Sequence, residues 1–235
     1  RKIIEISIFF THMNESIFFI HIAIVILFLL VAAKLGKEAL VSWSCLQIII
    51  ANLFVLKQMT FLGLDITCSD VYIVGNLLGL NLIQEFYGKK AAQKTMWISF
   101  FCMIFFTLMA KIHLLYKPNM HDTSQEAFFS ILSSAPRLFI ASLITFFVVQ
   151  KVDILFFGFL KKVYNNSHLL TRTIVCLLVS QSLDTALFTI LALYGVVGSV
   201  THVMLTALCV KLLVIACLSP VTSFTKKFLS QQVSA

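Results

Sequence analysis

Charge is what this chain has least of. Asp, Glu, Lys and Arg make up 12% of its 235 residues, about half the share found in soluble domains, which excludes an ordinary water-soluble globular chain. Six cysteines are present, but Cys45, Cys102, Cys176, Cys209 and Cys217 fall inside apolar stretches and Cys68 stands alone in a loop. That spacing excludes a zinc site and a disulfide framework. The histidines at 12, 21, 113, 121, 168 and 202 show no metal-ligand spacing either. There is no GxxxxGK[ST], HExxH or GxSxG, so a nucleotide-binding loop and the common hydrolytic centres are excluded. No nucleophile and base pair stands out, and no cofactor is called for. Any transport must be driven by a gradient or by a separate subunit. Low-complexity segments, heptads and a soluble domain are likewise missing.

What fills the space is hydrocarbon. The chain is 60% hydrophobic with 23 Phe, and its mean hydropathy is +0.98. Apolar stretches run over Ile17–Ala33, Leu40–Leu56, Val71–Tyr87, Thr95–Leu115, Phe128–Val149, Leu169–Tyr194 and Val197–Ser219. Each is long enough for a helix rising about 1.5 Å per residue to cross a hydrocarbon core about 30 Å thick. The expectation is an all-α polytopic membrane protein of seven transmembrane helices, a single transmembrane domain over residues 1–235. The first stretch is longer than a signal core and runs from Ala32-Ala33 straight into Lys34, so it reads as a mature helix. Lys34, Lys37, Lys89, Lys90, Lys94, Lys151, Lys161, Lys162, Lys226 and Lys227 fall on one side, against Arg1, Lys2 and Lys117 on the other. Basic loops stay in the cytoplasm; the N-terminus is therefore expected outside and the C-terminus inside. This asymmetry accounts for the net charge of +8 without a nucleic-acid partner.

Between the spans, VDILFFGFLKKV at 152–163 suits a helix extension or an interfacial helix on the cytoplasmic face. The outer segment Thr60–Asp70, TFLGLDITCSD, reads as a short lid or re-entrant piece, with Ser69-Asp70 capping the third span. Gly75 and Gly79 form a GxxxG, which permits either close packing within the bundle or a homodimer. Gln150, Lys151 and Asp153 at the inner end of the fifth span read as a cap or tether.

Polar groups inside a membrane are costly and face partners or water-filled cavities. Counted inward from the outer end of each span at about 1.5 Å per residue, Asn81 lies about 15 Å down, Arg137 about 14 Å, Asp184 about 15 Å and Lys211 about 20 Å. Glu85, about 21 Å down, and Asn52, about 8 Å down, bracket this layer. In the sixth span Gln181, Asp184, Thr185 and Phe188 recur at i, i+3, i+4 and i+7, one stripe of amide, carboxylate, hydroxyl and aromatic ring. Two readings stand side by side. Asp184 neutralises Arg137 or Lys211 and fixes packing, or the layer binds a small molecule at the midplane, where transporters hold substrates. Glu85 either joins that site or pairs with a nearby lysine.

The segments ANLFVLKQ (51–58), NLIQEFYGKKAA (81–92), RLFIASLITFFVVQKVD (137–153), SQSLDTALF (180–188) and KLLVIACLSP (211–220) together resemble the queuosine precursor transporter family, once grouped among vitamin uptake transporters. The resemblance spans about residues 40–228. It implies a six-helix core over 40–228, similar to the substrate-binding subunits of energy-coupling-factor importers, with the helix at 17–33 added. It further implies import of a 7-deazaguanine base, such as queuine or a pre-queuosine base, across the bacterial inner membrane. The chain departs from the family at Asn81, where Asp is common, and in lacking a proline-rich lead into the third span. The residues matching the family motifs supply what such a base needs. A carboxylate at Asp184 accepts adjacent N–H donors, Asn81, Gln181 and Arg137 donate to the carbonyl, and Phe188 offers a ring for stacking. Thr185, Glu85, Lys211 and Asn52 complete the expected substrate-binding set. The alternatives are a binding subunit that docks on an ATP-driven module and a structural membrane protein. No two alanines stand four apart to form the Ala-x-x-x-Ala docking pattern of such subunits.

Overall fold

A computed structural model describes residues 2–67, 69–133, 136–195 and 200–226. Arg1, Cys68, Val197 at the expected start of the last span, Lys227 and the residue closing the 40–228 core lie outside the described residues, as do 134–135. The chain is a helical bundle: α1 (Lys2–Leu35), α2 (Lys37–Phe54), α3 (Ser69–Tyr87), α4 (Lys89–His113), α5 (Gln125–Leu132), α6 (Pro136–Val163), α7 (Leu169–Phe188) and α8 (Val200–Leu218). A two-stranded antiparallel hairpin, β1 (Gln58–Phe61) and β2 (Leu64–Thr67), lies between α2 and α3. A π-helical turn over Thr189–Leu193 continues α7.

Two glycines make the tightest corners. Gly36 between α1 and α2 has φ +106° and Gly88 between α3 and α4 has φ +86°, a backbone region that side chains with a Cβ avoid. Each corner closes with the glycine N–H on a carbonyl four residues back, Ala32 and Gln84, so consecutive helices turn with a single connecting residue. Residues 60–67 of the expected lid or re-entrant segment belong to this hairpin, whose Phe61 is buried 4.6 Å from the ring of Phe18 on α1. Thr60 accepts from Asn14 on the same helix.

One expected span is broken. The apolar run 128–149 divides into α5, an exposed helix of eight residues, and α6, which begins at Pro136. Proline has no N–H to give and fits the first helical position, so the chain restarts there. From that start α6 runs unbroken to Val163. The stretch 152–163 is thus a helix extension, with Phe157 and Leu160 buried rather than lying along an interface.

Among the described residues, five helices are long and apolar enough to cross a membrane, over Met13–Leu35, Lys89–His113, Arg137–Val163, Leu169–Leu193 and Val200–Lys226. Their outward faces carry large apolar side chains, among them Phe19, Phe28, Phe101, Phe105 and Phe159, the pattern of a multi-pass membrane protein with hydrocarbon for solvent. α2 and α3 fall outside this set because they are more polar. α3 is buried along nearly its whole length, from Ser69 to Gln84, so its surroundings are protein and its composition answers to neighbouring helices rather than lipid. Its GxxxG is filled from within the chain. A Cβ on Gly79 would stand 2.9 Å from the Trp43 ring and 3.0 Å from Ser44 Oγ, and one on Gly75 3.3 Å from Trp43. Helix α2 therefore occupies the face that a second copy would need.

Candidate functional site

Lys211 lies at the centre of the bundle, 3% exposed. An ammonium so far from water needs carboxylates close by, and it has two. Its Nζ donates to Asp184 Oδ2 at 2.6 Å and to Thr185 Oγ1 at 3.0 Å, and stands 3.6 Å from Asp70 Oδ1. Three helices, α3, α7 and α8, are pinned together at this point. Asp70 belongs to the first turn of α3 but does not cap it. Thr67 does that work, its hydroxyl accepting from the Ser69 N–H at 3.2 Å, which frees the Asp70 carboxylate to turn inward.

The triad forms one wall of a cavity of about 230 Å³. Asp70, Asp184, Thr185, Phe188 and Lys211 line it, together with Asn52 and Ser142, whose hydroxyl donates to Asn52 Oδ1 at 2.7 Å. Thr67, Ile131 and Leu193 line its other end, so the cavity faces the end of the bundle that carries the hairpin and α5. The floor is polar as well. Gln150 Nε2 donates to Asn76 Oδ1 at 2.5 Å, and Asn76 Nδ2 to the Ser44 carbonyl at 2.8 Å. Apolar walls come from Ile48, Leu77, Phe106 and Phe146. This combination of apolar lining with a few fixed donors and acceptors is that of a small-molecule site.

Of the residues expected in the layer, Asp184, Thr185, Phe188, Lys211 and Asn52 line this cavity and the other four do not. Arg137 is exposed, donating from Nε to the Leu191 carbonyl at 2.8 Å and from Nη2 to the Tyr194 carbonyl at 2.7 Å. Its expected depth assumed a span beginning at Phe128. Because α6 starts at Pro136, Arg137 belongs to the first turn and tethers the end of the π turn. Glu85 is held by Arg172, Nη1 to Oε2 at 3.0 Å and Nη2 to Oε1 at 2.9 Å, and by Lys161 at 3.1 Å. That is the pairing role rather than a place in the cavity. Asn81 and Gln181 are each 1% exposed; Asn81 stands beside Asp153 and Cys176, and neither amide atom of Gln181 has a hydrogen-bond partner. Asp184 pairs with Lys211, not with Arg137.

Asp70, Asn76, Gln150 and Arg172 belong to the polar machinery but were not among the expected site residues. Asp70 read as a cap; its side-chain direction depends on the hairpin that delivers α3 into the bundle, and no local pattern reports that. Gln150 and Asp153 read, together with Lys151, as a cap or tether of the cytoplasmic end. Both are buried, with Ser180 Oγ donating to Asp153 Oδ1 at 2.6 Å.

A family model described as "Putative vitamin uptake transporter" matches residues 71–225. The "Probable queuosine precursor transporter" of Bacillus subtilis (strain 168) is 30% identical over 178 residues, covering 75% of this chain and 76% of that protein. No solved structure matches. The matched residues run from α3 into α8 and take in Asp184, Thr185, Phe188 and Lys211.

Proposed function

The chain belongs to the family described as "Putative vitamin uptake transporter", and from that premise we propose that it carries a 7-deazaguanine base, a queuosine precursor, across the bacterial inner membrane by alternating exposure of the cavity beside Lys211. The observation that carries this reading is the Asp70–Lys211–Asp184 triad, which joins α3, α7 and α8 in the wall of a cavity lined also by α2, α4 and α6. At about 230 Å³ the cavity is below the range of roughly 300–1,000 Å³ typical of drug-sized ligands, a size that suits a bicyclic base without its sugar.

In this reading Asp184 shares its carboxylate. One oxygen holds Lys211 and the other accepts the adjacent N–H donors of the guanine-like edge. Lys211 and Thr185 donate to the base carbonyl, and Phe188, one turn from Asp184, stacks on the ring. Two carboxylates around one ammonium also favour a base carrying an amine. Entry of such a cation is aided by an inside-negative potential by about 2.3 kcal/mol per charge per 100 mV.

The proposed topology has seven crossings. α2 and α3 join the five apolar helices, shielded from lipid by their neighbours, and α1 is an addition to a six-helix core resembling energy-coupling-factor binding subunits. The whole forms one domain. The cavity faces the lysine-poor side, with the N-terminus outside and the C-terminus in the cytoplasm. The relative's name points to the same substrate group.

Direct binding tests the assignment. The purified protein should bind a radiolabelled 7-deazaguanine base, and Asp184→Asn should lose that binding while the protein still inserts in the membrane. Asp184→Asn that binds as wild type removes Asp184 from the site. No binding of any 7-deazaguanine by the wild type sinks the substrate assignment.

A further inference from the structure

Below the cavity floor, α3, α6 and α7 continue to present polar side chains turn after turn. On α7, Asp184 is followed at intervals of four residues by Ser180, Cys176 and Arg172; on α6, Gln150 is followed by Asp153 and, two turns on, Lys161; on α3, Asn81 is followed by Glu85. Contacts tie these residues into levels. Gln150 and Asn76 close the floor. One turn inward, Asp153 Oδ1 accepts from Ser180 Oγ at 2.6 Å and Cys176 Sγ at 3.2 Å, with Asn81 beside Asp153 and Cys176. One turn further, Glu85, Arg172 and Lys161 form the ion-paired cluster that closes the inner end.

The middle level is anomalous. Asp153 is 0% exposed and, among the described residues, forms no ion pair. The nearby guanidinium, Arg172, is committed to Glu85. Asp153 Oδ2 and the Asn81 amide, which stands beside Asp153 and Cys176, are left without a well-formed hydrogen bond. Buried polar atoms are rarely left so, because each forfeits its hydration without recompense. Neither residue lines the outer cavity. A carboxylate oxygen and an amide so placed on adjoining helices suit another state in which a polar group bonds to both.

We propose that Asp153 and Asn81 form an inner substrate station, closed in this conformation, that receives the hydrogen-bonding edge of a planar purine-like base after it leaves the outer cavity. The inference rests on the transport reading above. The chemistry matches from both sides: Asp153 accepts the adjacent N–H donors of the base, and the Asn81 amide donates to its carbonyl. Passage requires the Gln150–Asn76 hydrogen bond to part first and the Glu85–Arg172–Lys161 cluster to part second. These are the two gates of an alternating-access cycle. It also gives Asn81 a role at a different level from Asp184, rather than in one shared layer.

The test separates binding from passage in the full-length protein reconstituted in liposomes, with a radiolabelled 7-deazaguanine base as probe. Asp153→Asn and Asn81→Ala should keep equilibrium binding within about threefold of wild type, since the outer cavity is untouched, and should lose uptake on the order of tenfold or more, as sites built for hydrogen bonds do when a partner is removed. Uptake by both variants at the wild-type rate overturns the station and leaves the outer site standing. A wild type that neither binds nor transports the base overturns the transport reading and the station with it. Cys176 gives a readout that needs no change at Asp153. With the other cysteines replaced, its thiol should be unreactive at rest, become modified by a small water-soluble thiosulfonate during turnover, and be protected by excess base. A thiol that stays unreactive during turnover shows that this level never opens, and overturns the proposal.

Discussion

Replacing Lys211 with methionine keeps most of the side-chain volume and removes the ammonium that neutralises two carboxylates. The Asp184 and Asp70 side chains are only 14% and 7% exposed, with oxygens 2.6 Å and 3.6 Å from Nζ, so neither can recover full hydration once Lys211 is gone. Removing one partner of a buried pair costs about 3–5 kcal/mol, chiefly because a charge is left stranded. An ordinary hydrogen bond between transmembrane helices averages about 0.6 kcal/mol in double-mutant cycles, so the two kinds of contact are separable in a melt. At about 2–4 °C per kcal/mol for a chain of this size, Lys211→Met should lower the melting temperature in detergent by on the order of 10 °C. Adding Asp184→Asn to that variant should restore part of the loss, because one carboxylate rather than two is then stranded, giving a coupling of about 1–3 kcal/mol. Lys211→Met melting with the wild type, or single and double effects that simply add, would refute the triad as the electrostatic centre of the bundle.

Gly79→Ala should destabilise the bundle by about 1–3 kcal/mol through overpacking, since the new Cβ would lie 2.9 Å from Trp43; Gly75→Ala, whose Cβ would lie a less severe 3.3 Å from Trp43 and Val25, should cost less, and equal melting temperatures for the two would count against the α2–α3 contact as described. Arg137→Ala should lower stability by about 1 kcal/mol, the scale of a cation at an exposed helix C-terminus, and leave base binding unchanged. Loss of binding with stability intact would return Arg137 to the site.

How far the sequence could be read depended on how local each cause was. Helix ends at Gly36 and Gly88 and the run 169–193 follow from apolar length and turn residues, and the elements stand close to the expected bounds. The failure at 128–149 came from reading Pro136 as part of an apolar run, when a proline there restarts the helix and moves Arg137 to its outer end. Asp184, Thr185 and Phe188 share the cavity because their spacing on α7 is a property of one helix. Their partner is Lys211, rather than Arg137, because partner choice is set by how α6, α7 and α8 pack. Asp70 was illegible for the same reason: its carboxylate reaches Lys211 only because the hairpin, held on α1 through Phe18 and Asn14, starts α3 inside the bundle. Depth counted along each span set Arg137 and Asn81 level with Asp184, whereas Arg137 sits at the outer end of α6 and Asn81 lies with Asp153, inward of the cavity floor.

Reconstitution tests the central claim most directly. The purified chain alone in liposomes, with no partner subunit and no ATP, should take up a radiolabelled 7-deazaguanine base through the cavity beside Lys211, and Asp184→Asn reconstituted to the same density should take up none above empty vesicles. Uptake that requires an added ATP-driven module, or that proceeds equally well in Asp184→Asn, would contradict the account.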